Sequence, residues 1–230
     1  METPIPEATL KALAACDTCA IANAIECFDV RLRNEGFSNS GTRCNFPQLP
    51  PMAGYAVTLR VRSGNPPAEG GTYLDRTEWW DQLDLQPVPH VVVIEDTDET
   101  PGVGAFVGEI HSAILQALGC VGVVTNGAVR DLGAVERTGF HLFSKDVSVS
   151  HAYMHVVGVN VPVNVAGMCI EPGDLLHGDR HGVIRIPSEI APKLPETIAR
   201  IQSREREILD FCKSGKFSKA DLRRMLSKPC

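Results

Sequence analysis

Apolar positions in EATLKALAACDTCAIANAIEC, residues 7 to 27, recur at helical spacing and are interrupted near Asp17-Thr18. That predicts two short helices, the second capped by the Asp17-Thr18 step. Residues 34 to 51 are rich in Asn, Gly, Ser and Pro and read as a loop. MAGYAVTLRVRS then alternates like a half-buried strand. The polar stretch SGNPPAEGGTYLDRTEWWDQLD, with Trp79 and Trp80, reads as a loop plus a short helix near a surface or subunit contact.

HVVVIEDTD is a continuous apolar run ending in acids, the pattern of a strand covered on both faces. GEIHSAILQALG has helical period and closes on Gly119, and CVGVVTNG is the next strand. Strand, helix and strand in succession make a right-handed βαβ unit. Short strands are expected near 140–143, 155–165, 168–170 and 183–186, and a charged amphipathic helix over 188–212. Ser218 is placed to cap a last short helix. The expectation is one α/β domain over 1–230, its core at about 8–190, with a C-terminal helical arm over 188–230.

With 43% hydrophobic and 22% charged residues, the 230-residue chain can bury a sizeable core. The net charge of -6 argues against nucleic acid as a partner, because such binding releases counterions against a basic face. No basic n-region precedes an apolar stretch at the N-terminus, and no run reaches the roughly 20 apolar residues of a membrane helix. A cytoplasmic protein without membrane contact is expected. The eight cysteines are scattered, with Cys16 and Cys19 the one C-x-x-C pair, and read mainly as reduced packing thiols.

In VVTNGAVRDL, residues 123–132, an apolar run breaks on Asn126-Gly127 and delivers Arg130 and Asp131. The loop before the preceding helix carries Gly104, Gly108 and Glu109. Both loops open at the carboxyl ends of the strands, where open α/β sheets bind ligands. Glu109 falls at a helix start, a place that favours anions. Arg130 offers a planar fork for a carboxylate or a developing enolate oxygen. Asp131 and Glu109 are hard oxygen donors suited to Mg²⁺ or Mn²⁺. A metal beside an arginine can bind a 2-oxo acid and stabilise the charge formed when a carbon-carbon bond breaks. Spacing alone favours a surface ion pair and a helix-capping acid over a catalytic role.

The spacing G-E-x(20)-R-D, from Gly108-Glu109 to Arg130-Asp131, resembles the acid-x(20)-Arg-Asp signature of the 4-hydroxy-4-methyl-2-oxoglutarate aldolases. These belong to the superfamily of the regulator of ribonuclease activity A. MAGYAVTLRV (52–61), LGCVGVVTNGAVRDL (118–132) and EPGDLLHGDRHGVIRIP (171–187) fit the same pattern in the same order, so the likeness covers most of residues 8 to 210. The resemblance implies an α/β domain of the swivelling ββα type, assembled as a homotrimer or homohexamer. It also implies a Mg²⁺ or Mn²⁺ cofactor and retro-aldol cleavage of a 4-hydroxy-2-oxo acid to pyruvate, with oxaloacetate decarboxylation alongside.

By position, the resemblance makes Asp131 the metal ligand and gives Arg130 the 2-oxo acid end and the enolate. Glu109 would hold a water on the metal, and backbone N–H groups around Gly108, Ile110 and His111 would meet the pyruvate carboxylate. A further acid is implied from a neighbouring subunit's C-terminal helix, with Glu205 the best match and Glu207 the alternate. Two departures stand out: Asn126-Gly127 replaces the Asp-Gly of many relatives, and Glu109 replaces Asp.

Among the histidines, His111 is a candidate pocket wall or acid-base group one turn from the Glu109 position. His151 and His155 read as structural or rim residues, and His177, Asp179 and His181 as a polar turn. GVGAFVG lacks the ending of a phosphate loop, so no nucleotide is expected. A non-catalytic regulator that masks a protein surface is the rival reading. A third is a lyase for another oxo acid, its pocket shaped by residues 62–87.

Overall fold

The computed structural model describes residues 5–39, 41–68, 77–215 and 217–227. In chain order the helices are α1 (Glu7–Ala14), α2 (Thr18–Glu26), α3 (Glu109–Ala117), α4 (Leu132–Glu136), α5 (Leu194–Lys213) and α6 (Lys219–Leu226). The strands are β1 (Arg43–Cys44), β2 (Met52–Arg62), β3 (His90–Asp96), β4 (Ala105–Val107), β5 (Cys120–Thr125), β6 (Ala128–Val129) and β7 (His141–Ser144). They continue with β8 (Asp146–Val147), β9 (His155–Val159), β10 (Val163–Val165), β11 (Met168–Ile170), β12 (Leu175–Asp179) and β13 (Gly182–Ile186). The α/β fold expected from the chain is the fold observed.

A strongly curved eight-stranded sheet runs β1-β7-β5-β3-β2-β12-β13, with β9 also pairing β2. Its centre, β2-β3-β5-β7, is parallel, and β12, β13, β9 and β1 join antiparallel. The predicted βαβ unit is β3-α3-β5, and Gly119 follows α3 with φ 84°. A smaller parallel sheet, β4-β6-β8, lies beyond the carboxyl ends of β3 and β5.

β2 departs from the half-buried pattern expected of it: nearly all its side chains are buried. The reason is its place at the centre of the sheet. Val57, Leu59 and Val61 enter a core with Val92, Val123 and Leu142, while Met52 and Ala56 enter another with Val93, Val124 and Phe143. Trp79 also corrects the reading of its segment. In the 3-10 helix Glu78–Leu85 it is 4% exposed and its ring packs 6.3 Å from that of Phe106, so it is a core residue rather than a surface one. Residues 69–76 of the same segment lie outside the described residues. The strand expected over 155–165 is two strands, β9 and β10, broken where Asn160 takes φ 54° and Pro162 follows.

Asp17 caps α2 by accepting from Ala20 N at 2.8 Å. His177 and Asp179 prove to be β12 residues that fasten the two N-terminal helices to the sheet. Asp179 Oδ2 accepts from Thr18 N at 2.9 Å, and the His177 ring contacts Leu13 O through Nε2 (3.2 Å) and Thr18 Oγ1 through Nδ1 (3.0 Å). A carbonyl only accepts, so Nε2 carries the proton and Nδ1 accepts from the hydroxyl. Ser218 caps α6 as expected, accepting from Asp221 N. Cys16, Cys19, Cys44, Cys120, Cys169 and Cys212 are free thiols, and Cys27 departs from the expectation in being disulfide-bonded. Among the described residues no single helix is long and apolar enough to cross a membrane.

Burial pushes the His177 pKa down to about 4. A base with a depressed folded-state pKa contributes stability that is complete above the ordinary value of about 6.5 and is lost as pH falls through 4. Urea unfolding at pH 7 and pH 4.5 is expected to show a decline in the wild type that exceeds the decline in His177→Gln by about 2 kcal/mol. Parallel declines in the two proteins would mean that His177 titrates alike folded and unfolded.

Candidate active site

The Asn-Gly break acts through the Asn126 side chain. Its Oδ1 accepts from Asp96 N at 2.7 Å and its Nδ2 donates to Asp96 O at 3.0 Å, so a side-chain amide imitates one more rung of the β3-β5 ladder. The Asp96 carboxylate is 2% exposed and accepts from Gly102 N (2.8 Å) and Asp98 N (3.1 Å), shaping the turn that leads into β4. Burial raises its pKa, though those two N–H groups oppose the shift.

Beyond Gly127 the chain enters β6 alongside β4, and Arg130 N donates to Val107 O at 2.9 Å. The two predicted loops are thereby brought side by side. Asp131 takes a left-handed conformation (φ 55°, ψ 34°) as the first flanking residue of α4. Such a conformation costs about 1 kcal/mol for most residues and is one that Asp tolerates better than most. It turns the carboxylate back across the gap, where Oδ2 accepts from Glu109 N at 3.1 Å. The acid that satisfies the start of α3 is therefore Asp131, not Glu109.

Arg130 Nε lies 3.3 Å from Asp131 Oδ2, an ion pair with the two side chains 31% and 39% exposed. The N–H is not aligned on that oxygen, which leaves Nε a buried donor without a hydrogen bond. Nη1 lies 3.5 Å from His151 Nδ1. His111, in the first turn of α3, packs its ring 5.3 Å from Phe106. Burial first, then the positive neighbourhood of His151 and Arg130, pushes the His111 pKa down to about 4. Burial and Arg130 lower that of His151 as well, against the opposing charge of Asp131. Two neutral imidazoles thus flank one fixed cation.

The segments carrying Gly108, Glu109, Ile110 and His111 and carrying Arg130 and Asp131 lie side by side. The Glu109 side chain is exposed, and Ile110 is 71% exposed. Glu205 lies on an exposed part of α5, an element whose buried residues Leu194 and Ile198 pack in the core of α1 and α2. Among the described residues no three His, Cys, Asp or Glu side chains form a group able to hold a metal. The sequence reading missed the contact of His151 with Arg130 and the Asn126-Asp96 pair, since neither partner is near the other along the chain. A separate cavity of about 720 Å³ is lined by Arg62, Asn65, Trp79, Gln82 and His155, and neither Arg130 nor Asp131 borders it.

The profile of the family described as RraA-like, Aldolase/RraA, matches residues 16–185. An uncharacterized protein of Methanocaldococcus jannaschii is 32% identical over 137 residues, which are 59% of this chain and 64% of that one. A proposed 4-hydroxy-4-methyl-2-oxoglutarate aldolase of Halalkalibacterium halodurans is 32% identical over 111 residues, 46% of this chain and 53% of that one. The matched region thus spans less than two thirds of either relative. An uncharacterized protein from Pseudomonas syringae shares the fold with TM-score 0.73 at 22% identity, over 97% of this chain and 95% of that one. A Streptomyces coelicolor protein described as an unusual member of the RNase ES inhibitor RraA family matches with TM-score 0.69 at 20% identity, over 90% and 97% of the two chains.

Gly108 is a tight joint of the site. A Cβ there would fall 2.4 Å from Asp131 Oδ2 and 2.9 Å from Arg130 Cγ, so any side chain must displace the pair. Gly108→Ala is expected to lose about 1–3 kcal/mol in denaturant unfolding, the usual cost of overpacking. The Glu109 amide resonance should also shift as Asp131 moves. An unchanged Glu109 resonance would show that the two loops are not locked together.

Proposed function

Because the chain belongs to the RraA-like family, we propose that it is a divalent-metal-dependent lyase that cleaves a 4-hydroxy-2-oxo acid such as 4-hydroxy-4-methyl-2-oxoglutarate to pyruvate, with oxaloacetate decarboxylation as a companion activity. The observation that carries this reading is the apposition of Arg130-Asp131 with Gly108-Glu109 at the start of a helix. The working unit is a cytoplasmic homotrimer or homohexamer of one-domain chains, in which Glu205 of the C-terminal arm serves a neighbouring site.

The donor set fits a hard cation. Asp131 and Glu109 offer carboxylate oxygens from adjacent loops, and Mg²⁺ or Mn²⁺ keeps several waters and binds through one or two carboxylates. Bound there, the cation supplies positive charge that polarises the 2-oxo group. Arg130 binds the carboxylate and 2-oxo end and balances the negative charge that grows on the oxo oxygen as the C3–C4 bond breaks. The first-turn N–H groups at Ile110 and His111 face the same anion with the helix dipole behind them. The neutral His111 ring walls the pocket without competing for the substrate carboxylate.

A regulator that masks a protein surface is the second reading. Its support is the exposed apolar side chains Ile110, Val147, Val149 and Tyr153, which come from segments adjoining Arg130 and His151.

Pyruvate release from 4-hydroxy-4-methyl-2-oxoglutarate and from oxaloacetate separates the two. With Mn²⁺ or Mg²⁺ the wild type is expected to turn over, with EDTA to stop, and on metal addition to recover. Arg130→Ala is expected to lose 10²- to 10³-fold in kcat/KM, the scale of one lost donor to a developing oxyanion. A folded wild type that binds Mn²⁺ and turns over neither compound would leave the regulator, or a lyase for another oxo acid, as the better account.

A further inference from the structure

His151 comes from a loop 21 residues beyond Arg130, yet its Nδ1 is 3.5 Å from Arg130 Nη1. A guanidinium offers donors only, so Nδ1 must be the acceptor, which fixes the neutral ring with its proton on Nε2. The loop is fastened on both sides of the ring. Ala105 N donates to Ser150 O at 2.8 Å, Tyr153 N to Ser63 O at 3.1 Å and Met154 N to His151 O at 3.1 Å. The loop also presses on β4: a Cβ at Gly104 would fall 2.2 Å from His151 O. Ala152 is held at φ 49°, a left-handed conformation that persists only where its surroundings enforce it and that clusters at functional sites.

Resting on the oxo-acid reading above, we propose that His151 is a positioning residue whose Nδ1 fixes the plane of the Arg130 guanidinium for the 2-oxo acid end of the substrate. Arginine has five N–H donors in a rigid fork. With Nε 3.3 Å from Asp131 Oδ2 in an ion pair and one Nη1 donor toward His151, the guanidinium is held from two sides, and its remaining donors are left for a carboxylate.

The choice of an imidazole has a physical reason. A second carboxylate would also orient the arginine, but it would cancel the charge that attracts an anion. A neutral imidazole orients the cation and leaves its charge intact. A lysine, glutamine or leucine at this position would either repel the guanidinium or reach it with different geometry.

The test compares wild type, His151→Leu and His151→Asn, the last because an Asn carbonyl oxygen can stand where Nδ1 does. Three readouts are needed with Mn²⁺ present: kcat and KM for pyruvate release from 4-hydroxy-4-methyl-2-oxoglutarate and oxaloacetate, the Kd of oxalate as an enolate mimic, and the Kd of Mn²⁺ itself. His151→Leu is expected to lose ten- to a hundredfold in kcat/KM and about tenfold in oxalate affinity, the scale of a misplaced binding group. Mn²⁺ affinity should stay within twofold, and His151→Asn should recover to within about threefold of wild type on both measures.

Active wild type with an equally active Leu variant would overturn the proposal and leave the lyase reading standing. Leu and Asn variants that fail alike, or that lose Mn²⁺ with the substrate, would reduce His151 to a structural role and overturn it too. A wild type that neither releases pyruvate nor binds oxalate removes the lyase reading, and the proposal falls with it.

Discussion

The site depends on one side-chain amide. Asn126 closes a two-bond ring with the main chain of Asp96, and the β3-β5 ladder gains a rung that the backbone itself cannot supply at a turn. A backbone donor and acceptor left buried at that point would each cost about 1–3 kcal/mol. Satisfying them with Asn frees the chain at Gly127 to leave the main sheet and build the three short strands β4, β6 and β8. Those strands are too short to be stable alone. They exist because Asp96 holds one entrance through Gly102 and Asp98, and Asn126 the other. Aspartate at position 126 would offer an acceptor to Asp96 N but no donor to Asp96 O, so Asn is the residue that satisfies both.

From that platform the residues of the candidate site need little further positioning. Val107 and Arg130 share a main-chain hydrogen bond, so the two carboxyl-end loops start in register. Gly108 lets Asp131 approach within contact of the α3 N-terminus, and the left-handed turn at Asp131 aims its carboxylate there. Three small compromises, a missing side chain, a strained residue and an amide used as backbone, are gathered in space around Arg130. The rest of the sheet, with cores on both sides of β2, supplies the rigidity that makes them tolerable.

What could be read from the chain follows from how local each cause is. The β3-α3-β5 unit, the paired N-terminal helices with the Asp17 cap, and the Ser218 cap come from periodicity and capping chemistry within a dozen residues. The side-by-side placement of Gly108-Glu109 and Arg130-Asp131 is legible because two adjacent loops of one βαβ unit open at the same edge, whereas Ile110 and the His111 backbone N–H enter only through the family resemblance. The burial of β2 on both faces was not legible, because alternation reports side-chain chemistry and not the number of strands that come to flank it. His151 was beyond reach for a similar reason. Its position is set by hydrogen bonds of its neighbours, Ala105 N to Ser150 O and Tyr153 N to Ser63 O, whose partners are far apart along the chain, and HAYMH carries no periodicity that records them. The alternation of His177 and Asp179 fits either a turn or a strand, and the family resemblance, which implies strand-turn-strand here, is what agrees with β12 and β13. The Thr18 and Leu13 contacts that fix these side chains come from the other end of the chain.

Charge ties these pieces to the proposed chemistry. Arg130 contributes one positive charge and Asp131 and Glu109 one negative charge each, while burial keeps the imidazoles of His111 and His151 from adding more. By formal count the pocket is therefore net negative by one, a poor host for a dicarboxylate. A divalent cation held there would change the formal count to plus one. Had His111 and His151 been cationic, the apo pocket would already be positive, and the two carboxylates would be drawn into ion pairs with imidazolium instead of remaining available to a metal. Depressed histidine pKa values are in this sense part of the same design as the Asn126 rung: one preserves the geometry of Arg130 and Asp131, the other preserves their charge balance.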